Sequence, residues 1–222
     1  LEKKWLIKFS IKLPDMTKLL LSGLMINNNK KIKLRYGENP NQKAFLYSRS
    51  KKSIFDFQIS GKKISYNNII DVDSGMRCLN EFSEPTSIIV KHTNPCGIAC
   101  GKNINVAFKK SYESDKKSSF GGIIFLNRKV NSSLANKIIR NFSEMVVAPD
   151  FEKGAIKILE SKKNLILLKI PNIENRKTEN RSTLFGDLYQ TVDLTKINNK
   201  FIKSVSKIKG SSKSVQDLIF SL

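Results

Sequence analysis

The stretch VKHTNPCGIAC (residues 90–100) contains His92, the only histidine of the chain, and two of the three cysteines. Histidine and cysteine are the usual ligands of structural zinc. A zinc nucleobase deaminase requires an acidic residue two positions after its histidine, followed by a Pro-Cys-x-x-Cys motif. Here an asparagine stands at the acidic position, and three residues rather than two separate Cys96 from Cys100. The spacing therefore predicts a site without zinc and no metal in this segment.

Without a metal, Lys91 and His92 could still carry out acid–base chemistry. An imidazole with an ordinary pKa of about 6.5 exchanges protons near neutral pH. A neighbouring ammonium can stabilise developing negative charge or lower the imidazole pKa. Both residues follow the apolar segment Ser87–Val90, which predicts a buried strand, and Asn94-Pro95 with Gly97 predicts a turn that brings both side chains to one pocket. A lone histidine satisfied by the backbone is the alternative.

Four further residues carry groups suited to binding a substrate. Arg35 and Tyr36 place a guanidinium that can hold phosphate beside a ring that can stack on a heterocycle; a surface turn is the alternative. Gly121 lies in SSFGG before a predicted strand, where a ligand could approach the backbone closely. No Walker sequence follows it, and an ordinary tight turn is the alternative. Glu144 precedes another strand and could hydrogen-bond a polar substrate edge, or be a solvated acid.

The net charge of +21 over 222 residues would suit a polyanionic partner such as nucleic acid. The lysines, however, are spread along the whole chain and outnumber the arginines, whereas specific nucleic-acid readers favour arginine. We therefore favour a general enrichment in surface lysine over a nucleic-acid footprint. Such a surface also attracts small anionic metabolites.

Cysteine content and hydropathy indicate the compartment. Three cysteines do not form a disulfide framework, which favours a reducing, cytoplasmic environment. No apolar run approaches the roughly 20 residues that span a bilayer, so no membrane partner is expected.

Short apolar segments alternate with helical patterns along the chain. Strands are predicted at Lys43–Tyr47, Phe55–Ile59, Ser87–Val90, Ile123–Leu126, Met145–Val147 and Leu165–Ile170, and helices at Asp71–Phe82, Asn105–Tyr112, Asn131–Asn141 and Glu152–Ser161. The segment Pro171–Ser182 is polar and predicts a loop. The alternation indicates a layered α/β fold with a mixed or largely parallel sheet.

Several long segments occur in the order found in one enzyme family. The chain resembles the transformylase region of the AICAR transformylase/IMP cyclohydrolase family, bifunctional enzymes of purine biosynthesis. The similar segments are LRYGENPNQKAFLY (34–47), SGKKISYNNIIDVDSG (60–75), IIVKHTNPCGIA (88–99), SSFGGIIFLNR (118–128) and SEMVVAPDFEKGAIKILESKKNLILL (143–168). The resemblance implies a three-layer αβα, cytidine-deaminase-like architecture that lacks the zinc of the deaminases.

The resemblance also implies a reaction. In this family a formyl group passes from the co-substrate 10-formyltetrahydrofolate, a folate, to the 5-amino group of the AICAR nucleotide. Lys91 and His92 match the catalytic pair of the family, so His92 would accept the amine proton. Lys91 would assist proton transfer or stabilise the oxyanion.

The remaining site residues match substrate contacts of the family. Arg35 and Tyr36 match residues that hold the nucleotide, from the neighbouring subunit of a homodimer with shared active sites. Gly121 and Glu144 match further contacts. Asn41 stands where the family usually has histidine, which puts any role of that position in doubt.

The resemblance predicts three segments. Residues 1–30 would be a linker from a cyclohydrolase domain, residues 31–200 a first deaminase-like half, and residues 201–222 a connection toward a second half. That second half would supply an essential asparagine and much of the folate pocket. A catalytically incompetent or purely structural half, which contributes only dimer or partner contacts, is the alternative.

Overall fold

The computed structural model describes residues 30–48, 51–171, 176–193, 195, 205 and 210–221. Its contacts divide the chain into two units, the first comprising residues 1–175 and the second residues 176–222. The predicted segment 1–30 lies almost wholly outside the described residues, and so does the predicted boundary at residue 200. The three-segment division therefore stays a prediction.

The first unit contains eight strands and five helices within its described residues. The strands are β1 Lys30–Lys33, β2 Phe45–Ser48, β3 Gln58–Ser60, β4 Thr86–Lys91, β5 Asn94–Cys100, β6 Ile123–Leu126, β7 Met145–Ala148 and β8 Ile166–Lys169. The helices are α1 Tyr66–Leu79, α2 Ile104–Ser114, α3 Lys116–Ser119, α4 Ser132–Ile138 and α5 Lys153–Leu159, and a 3₁₀ turn covers Ile54–Phe57. In the second unit, the described residues form the hairpin of β9 Thr178–Thr183 and β10 Gly186–Thr191, and helix α6 Ser212–Ser221.

Six strands form the central sheet, in the order β3-β8-β7-β6-β4-β5. The strands β6, β7 and β8 are parallel to one another. The strand β4 is antiparallel to both β6 and β5, and β3 is antiparallel to β8. The sheet is therefore mixed, as predicted, with four of its six strands running in one direction. The hairpin of β1 and β2 is separate from it.

Helices cover both faces of this sheet. On one face, Val72 of α1 packs in a cluster with Ile88 and Phe125. On the other face, α2, α4 and α5 pack against the neighbouring strand residues, such as Ile89 and Ile124, whose side chains point to that side. Side chains alternate across a strand, so strands buried on both faces are apolar throughout. Each fully buried large side chain contributes about 1.5–3 kcal/mol. The predicted three-layer αβα arrangement is confirmed.

Helix α1 begins at Tyr66, five residues earlier than the sequence pattern predicts. The Ser65 side chain accepts a hydrogen bond from the Asn68 backbone N–H at 3.1 Å, and the Asn68 side chain accepts from Ser65 N at 3.1 Å. This reciprocal cap satisfies N–H groups that have no partner within the helix. The prediction counted the apolar periodicity from Val72, whereas Ile69, three residues earlier, also packs against this core.

The predicted turn at Asn94-Pro95 and Gly97 is wrong. The chain reverses at His92 and Thr93, with φ of +54° and +64°, and Asn94–Cys100 is an edge strand paired with β4. A proline is compatible with an edge strand because its missing N–H can face away from the sheet. Gly97 instead lets helix α2 lie close to the β5 backbone, since a Cβ there would lie 2.0 Å from the carbonyl oxygen of Ser111 on α2.

Two further predictions need correction. The predicted strand Phe55–Ile59 begins as a 3₁₀ turn, because Asp56 accepts hydrogen bonds from Ser53 N and Oγ at 2.7 and 2.8 Å. The predicted loop Pro171–Ser182 contains most of β9. No helix among the described residues has both the length and the apolar character needed to cross a membrane.

Candidate functional site

The candidate residues collect at one end of the central sheet because of its mixed topology. β4 ends with Lys91, whereas β6 and β7 begin there, directly after Gly122 and Glu144. The register pairs Val90 with Ile123, and Ile123 with Met145. The end of the antiparallel β4 therefore lies beside the starts of the parallel strands. The site lies at the carboxyl ends of β4 and of β3, which is antiparallel to β8, and a carboxyl end is the usual position for ligands in open α/β sheets.

A cavity of about 390 Å³ opens at this end of the sheet, and we call it the first cavity. It brings together four of the six predicted site residues. Its lining comprises Arg35, Tyr36, Lys62, Lys63, Ile64, Ser65, Asn67, Asn68, Asp71, His92 and Glu144. Lys91 and Gly121 do not line it.

His92 is held at the first cavity by a strained turn. Left-handed backbone costs a non-glycine residue about 1–3 kcal/mol, and both His92 and Thr93 adopt it. Helix α1 fixes the turn through two hydrogen bonds. The Thr93 N–H donates to Asp71 Oδ1 at 2.7 Å, and Ser74 Oγ donates to the Thr93 carbonyl at 2.6 Å. The Asn94 side chain also donates to the His92 carbonyl at 2.9 Å.

Lys91 does not accompany His92 into the first cavity. Its Nζ donates to the carbonyl oxygen of Phe120 at 3.0 Å, next to Gly121. Gly121 has φ of +77° and donates its N–H to the Phe142 carbonyl at 2.9 Å. The ammonium therefore lies beside the glycine turn, while the imidazole lies at the cavity.

Glu144 is anchored rather than freely solvated. Its Oε1 accepts a hydrogen bond from Asn68 Nδ2 at 2.9 Å and forms an ion pair with Lys62 Nζ at 3.1 Å. Asn68 is only 3% exposed, so the cap of α1 also orients the carboxylate. The Glu144 N–H donates to the Gly122 carbonyl at 3.1 Å, which links Glu144 to the glycine turn.

The turn after β3 places Lys62 and Lys63 at the first cavity. Gly61 makes this possible, since its φ is +93° and a Cβ there would lie 2.1 Å from the Leu165 carbonyl oxygen. Only glycine combines this conformation with so close a backbone approach. No role for Lys62 or Lys63 was predicted from the sequence. Asn68 and Asp71 were missed as well, although polar residues early in an amphipathic helix were a usable signal.

Arg35 and Tyr36 reach the first cavity from the connection between β1 and β2. The Arg35 guanidinium carbon lies 5.6 Å from the centre of the Tyr36 ring, within the range of a cation–π contact. Gln42 stabilises this loop by accepting a hydrogen bond from Asn39 N on its side chain at 2.7 Å. Asn41 is exposed and does not line the cavity.

The charges of the first cavity suit a ligand that is anionic and carries polar edges. Three cations, from Arg35, Lys62 and Lys63, face two carboxylates, from Asp71 and Glu144. A guanidinium and two ammonium groups can hold phosphate, while Glu144 can accept from an amine or amide. Among the described residues, no three His, Cys, Asp or Glu side chains are grouped so that they could hold a metal ion. The prediction of a metal-free site stays a prediction.

Comparison with known families decides the relationship. A family model described as "AICARFT/IMPCHase bienzyme" matches residues 5–222. The chain belongs to this family. The resemblance read from the sequence segments is therefore confirmed at the level of the AICARFT/IMPCHase family, while the cytidine-deaminase-like architecture stays a prediction.

Relatives in the AICARFT/IMPCHase family carry the name bifunctional purine biosynthesis protein PurH. The chain is 44% identical over 195 residues to the protein of Caldicellulosiruptor bescii, covering 84% of the chain and 38% of that relative. The protein of Lactobacillus acidophilus is 41% identical over 207 residues, or 90% of the chain and 40% of that relative. That of Halalkalibacterium halodurans is 44% identical over 191 residues, or 83% and 37%. The chain thus spans about two fifths of the length of these relatives.

Proposed function

We propose that this chain is part of a phosphoribosylaminoimidazolecarboxamide formyltransferase of IMP biosynthesis. The enzyme would transfer the formyl group of 10-formyltetrahydrofolate to the 5-amino group of the AICAR nucleotide, in the cytoplasm. The observation that carries the proposal is the position of His92, the only imidazole of the chain, at the same cavity as Arg35, Tyr36 and Glu144.

The first cavity offers complementary groups for the phosphate, the base and the polar substituents of this nucleotide. Arg35, Lys62 and Lys63 would hold the phosphate, because their charges lie on one cavity. The half-buried Tyr36 ring would stack on the imidazole base. Both contacts that the Glu144 side chain makes with described residues fall on Oε1, so Oε2 can accept a hydrogen bond from the carboxamide or amine.

His92 would act as the general base of the transfer. The amine nitrogen attacks the formyl carbon, a new C–N bond forms, and the amine proton passes to the imidazole. Collapse of the tetrahedral intermediate breaks the bond between the formyl carbon and N10 of the folate, and N10 takes up a proton. The Lys91 ammonium would stabilise the oxyanion. To do so, the Lys91 side chain would leave the Phe120 carbonyl and donate its hydrogen bond to the oxyanion instead.

The homodimer and the folate remain parts of the proposal. The family resemblance assigns Arg35 and Tyr36 to the neighbouring subunit, whereas within this chain they already line the same cavity as His92. We propose that the folate binds with help from a second copy or from protein outside these 222 residues. A half that supplies only contacts is the competing hypothesis.

A complementation assay tests the proposed function. The chain alone, and the chain mixed with the remaining C-terminal portion of the Caldicellulosiruptor bescii relative, would be assayed for formyl transfer with and without His92→Ala. General acid–base groups contribute about 10²–10⁴-fold to rate. We therefore expect His92→Ala to lower the rate of formyl transfer by at least about 100-fold. Activity that is equal with and without His92 would refute its role as base.

Nucleotide binding separates the enzyme from a structural half. Calorimetric titration with the AICAR nucleotide should show binding that weakens by about tenfold or more in Arg35→Gln, an effect of about 1.4 kcal/mol. Lys33→Gln, on the exposed side of β1, is the control of equal charge change. Absence of nucleotide binding in the presence of the C-terminal portion would favour the structural half.

A further inference from the structure

A second cavity, also of about 390 Å³, lies beside the first and has no part in the proposed transfer. The segments that lead into β7 and β8 enclose it, together with Lys62 from the turn after β3. Its lining comprises Lys62, residues 138–144 and residues 161–165. Lys62 and Glu144 line both cavities.

Hydrogen bonds give the walls of the second cavity a defined shape. On one side, Tyr112 Oη donates to Asn141 Oδ1 at 2.8 Å, which fixes the segment after α4 to helix α2. On the other, Leu165 N donates to the Lys162 carbonyl at 2.9 Å and closes the turn that follows α5. The buried side chains of Ile138 and Leu165 lie at the apolar ends of these segments.

The second cavity is strongly basic. Its lining contains four cations, and the residues are Lys62, Arg140, Lys162 and Lys163. Glu144 is the single carboxylate among the lining residues, which leaves an excess of three positive charges. Asn164 and Ser143 add neutral polar groups, and the exposed Phe142 ring forms part of one wall.

The partial negative charges at helix C-termini do not account for this excess of positive charge. Helices α4 and α5 both end at the second cavity, and cations near a helix C-terminus are stabilising. Each helix end carries at most about half a negative charge. Two such ends offset about one of the three excess positive charges, so an excess of about two is left for a ligand.

We propose that the second cavity binds a small anion with two or more negative charges, either a phosphate compound or an oligocarboxylate. Guanidinium and ammonium groups recognise both kinds of anion by charge-assisted hydrogen bonds. The proposal does not depend on formyl transfer, because Lys62 and Glu144 pair with each other and the excess charge comes from Arg140, Lys162 and Lys163, which line the second cavity alone.

The test uses residues that line only the second cavity. In the full 222-residue chain, Arg140→Gln/Lys163→Gln removes two of its charges. The matched control is Lys153→Gln/Lys157→Gln, which removes two exposed charges on α5 that line neither cavity. Circular dichroism and thermal unfolding establish that each variant is folded.

Pyrophosphate and triglutamate are the two probes, titrated separately at low ionic strength, where charges are least screened. Backbone amide signals of Phe142, Ser143 and Asn164, followed by NMR, report the place of binding. We expect saturable shifts at these amides with at least one probe, and an affinity lower by about tenfold in Arg140→Gln/Lys163→Gln but nearly unchanged in the control. The probe that binds identifies phosphate or carboxylate as the preferred anion.

Two results would overturn the proposal. Equal weakening in both double variants would mean that the probes respond only to the overall positive charge. Absence of saturable binding of both probes to the unaltered chain would mean that the second cavity is not an anion site. Because neither probe is a substrate of the proposed transfer, these outcomes are distinct from failure of the formyltransferase proposal.

Discussion

Asp71 and Thr93, which lie 22 residues apart in sequence, are joined by a hydrogen bond of 2.7 Å from the Thr93 N–H to Asp71 Oδ1. This contact connects helix α1 to the turn in which His92 adopts φ of +54°. A histidine in that conformation needs support from its surroundings, because the free backbone disfavours it. We infer that α1 both lines the first cavity and holds its imidazole in place.

Replacement of Asp71 should therefore free His92. We expect Asp71→Ala to lower the free energy of unfolding by about 1–3 kcal/mol, because the Thr93 N–H loses a charged acceptor. Asp71→Asn keeps an oxygen acceptor and should recover part of the loss. Urea unfolding measures stability, and the NMR signals of the His92 ring report whether it retains one environment.

Asp73→Ala is the control for this experiment. Asp73 lies on the exposed side of α1, in an ion pair with Arg77 at 3.1 Å, and such helix-surface pairs contribute about 0.3–0.5 kcal/mol. In Asp73→Ala, the His92 ring signals should match those of the unaltered chain. A His92 ring signal unchanged in Asp71→Ala would contradict the positioning role.

The elements that are apolar throughout could be predicted from sequence. The strands β4, β6, β7 and β8 fall within one or two residues of their predicted positions, because burial on both faces produces apolar runs, and the helices α1, α2, α4 and α5 fall within five residues. The edge strand β5 was missed, since its Asn94-Pro95 start has the composition of a turn and its pairing with β4 is a tertiary property.

The candidate site was predictable to a similar degree. Residues with distinctive chemistry, such as His92 and Arg35, were found, and four of the six predicted residues share the first cavity. Lys62 was not singled out, because one lysine among many carries no local signal. Its role follows from the approach of Gly61 to Leu165 across the sheet edge, which no local pattern encodes.

Gly75 sets the distance between α1 and the sheet. A Cβ at this position would lie 2.2 Å from the Phe125 ring, which is fully buried. We expect Gly75→Ala to lower the free energy of unfolding by about 1–3 kcal/mol, the usual cost of overpacking, despite the higher helix propensity of alanine. The displaced helix should also weaken ligand binding in the first cavity, measurable by calorimetry.

A compensating substitution distinguishes overpacking from other effects of Gly75→Ala. Phe125→Leu removes ring atoms that the new methyl group would meet. The double variant Gly75→Ala/Phe125→Leu should therefore be more stable than the sum of the single effects predicts. Strict additivity in urea unfolding would argue against the steric explanation.

Gly61 has a different function, since it positions lysines rather than a helix. Gly61→Ala introduces both an unfavourable φ of +93° and a contact of 2.1 Å with the Leu165 carbonyl oxygen. We expect a loss of unfolding free energy above the roughly 1–3 kcal/mol of backbone strain alone, together with weaker anion binding in both cavities, because Lys62 lines both.

Gly121→Ala separates these two contributions. Gly121 has a similar φ of +77°, but the nearest atom to its added Cβ is a Phe142 ring carbon at 3.4 Å, an ordinary contact. Urea unfolding should therefore show a smaller loss for Gly121→Ala than for Gly61→Ala. Equal losses would mean that the backbone approach to Leu165 relaxes at little cost.

Asp150 should make the stability of the chain depend on pH in acid. Its carboxylate forms ion pairs with Lys169 Nζ at 2.6 Å and with Lys129 Nζ at 2.9 Å. The hydrogen bond from Lys169 is the largest of the effects that hold the pKa of Asp150 well below its ordinary value, and those from Lys129 and the Phe151 backbone N–H act in the same direction. The unfolded chain therefore binds this proton at a higher pH than the folded chain does.

The sign of the effect follows from that difference in proton binding. The contribution of Asp150 is fully present above its unfolded pKa of about 3.9, and it is lost as the pH falls toward the lower folded value. Urea midpoints should therefore show Asp150→Asn to be less stable than the unaltered chain near neutral pH, with a difference that shrinks below about pH 4. In a Lys129→Gln/Lys169→Gln background, the same substitution should have a smaller effect at neutral pH, because the main partners of the carboxylate are gone. A stability difference that stays constant from neutral to acid pH would contradict the role of these ion pairs.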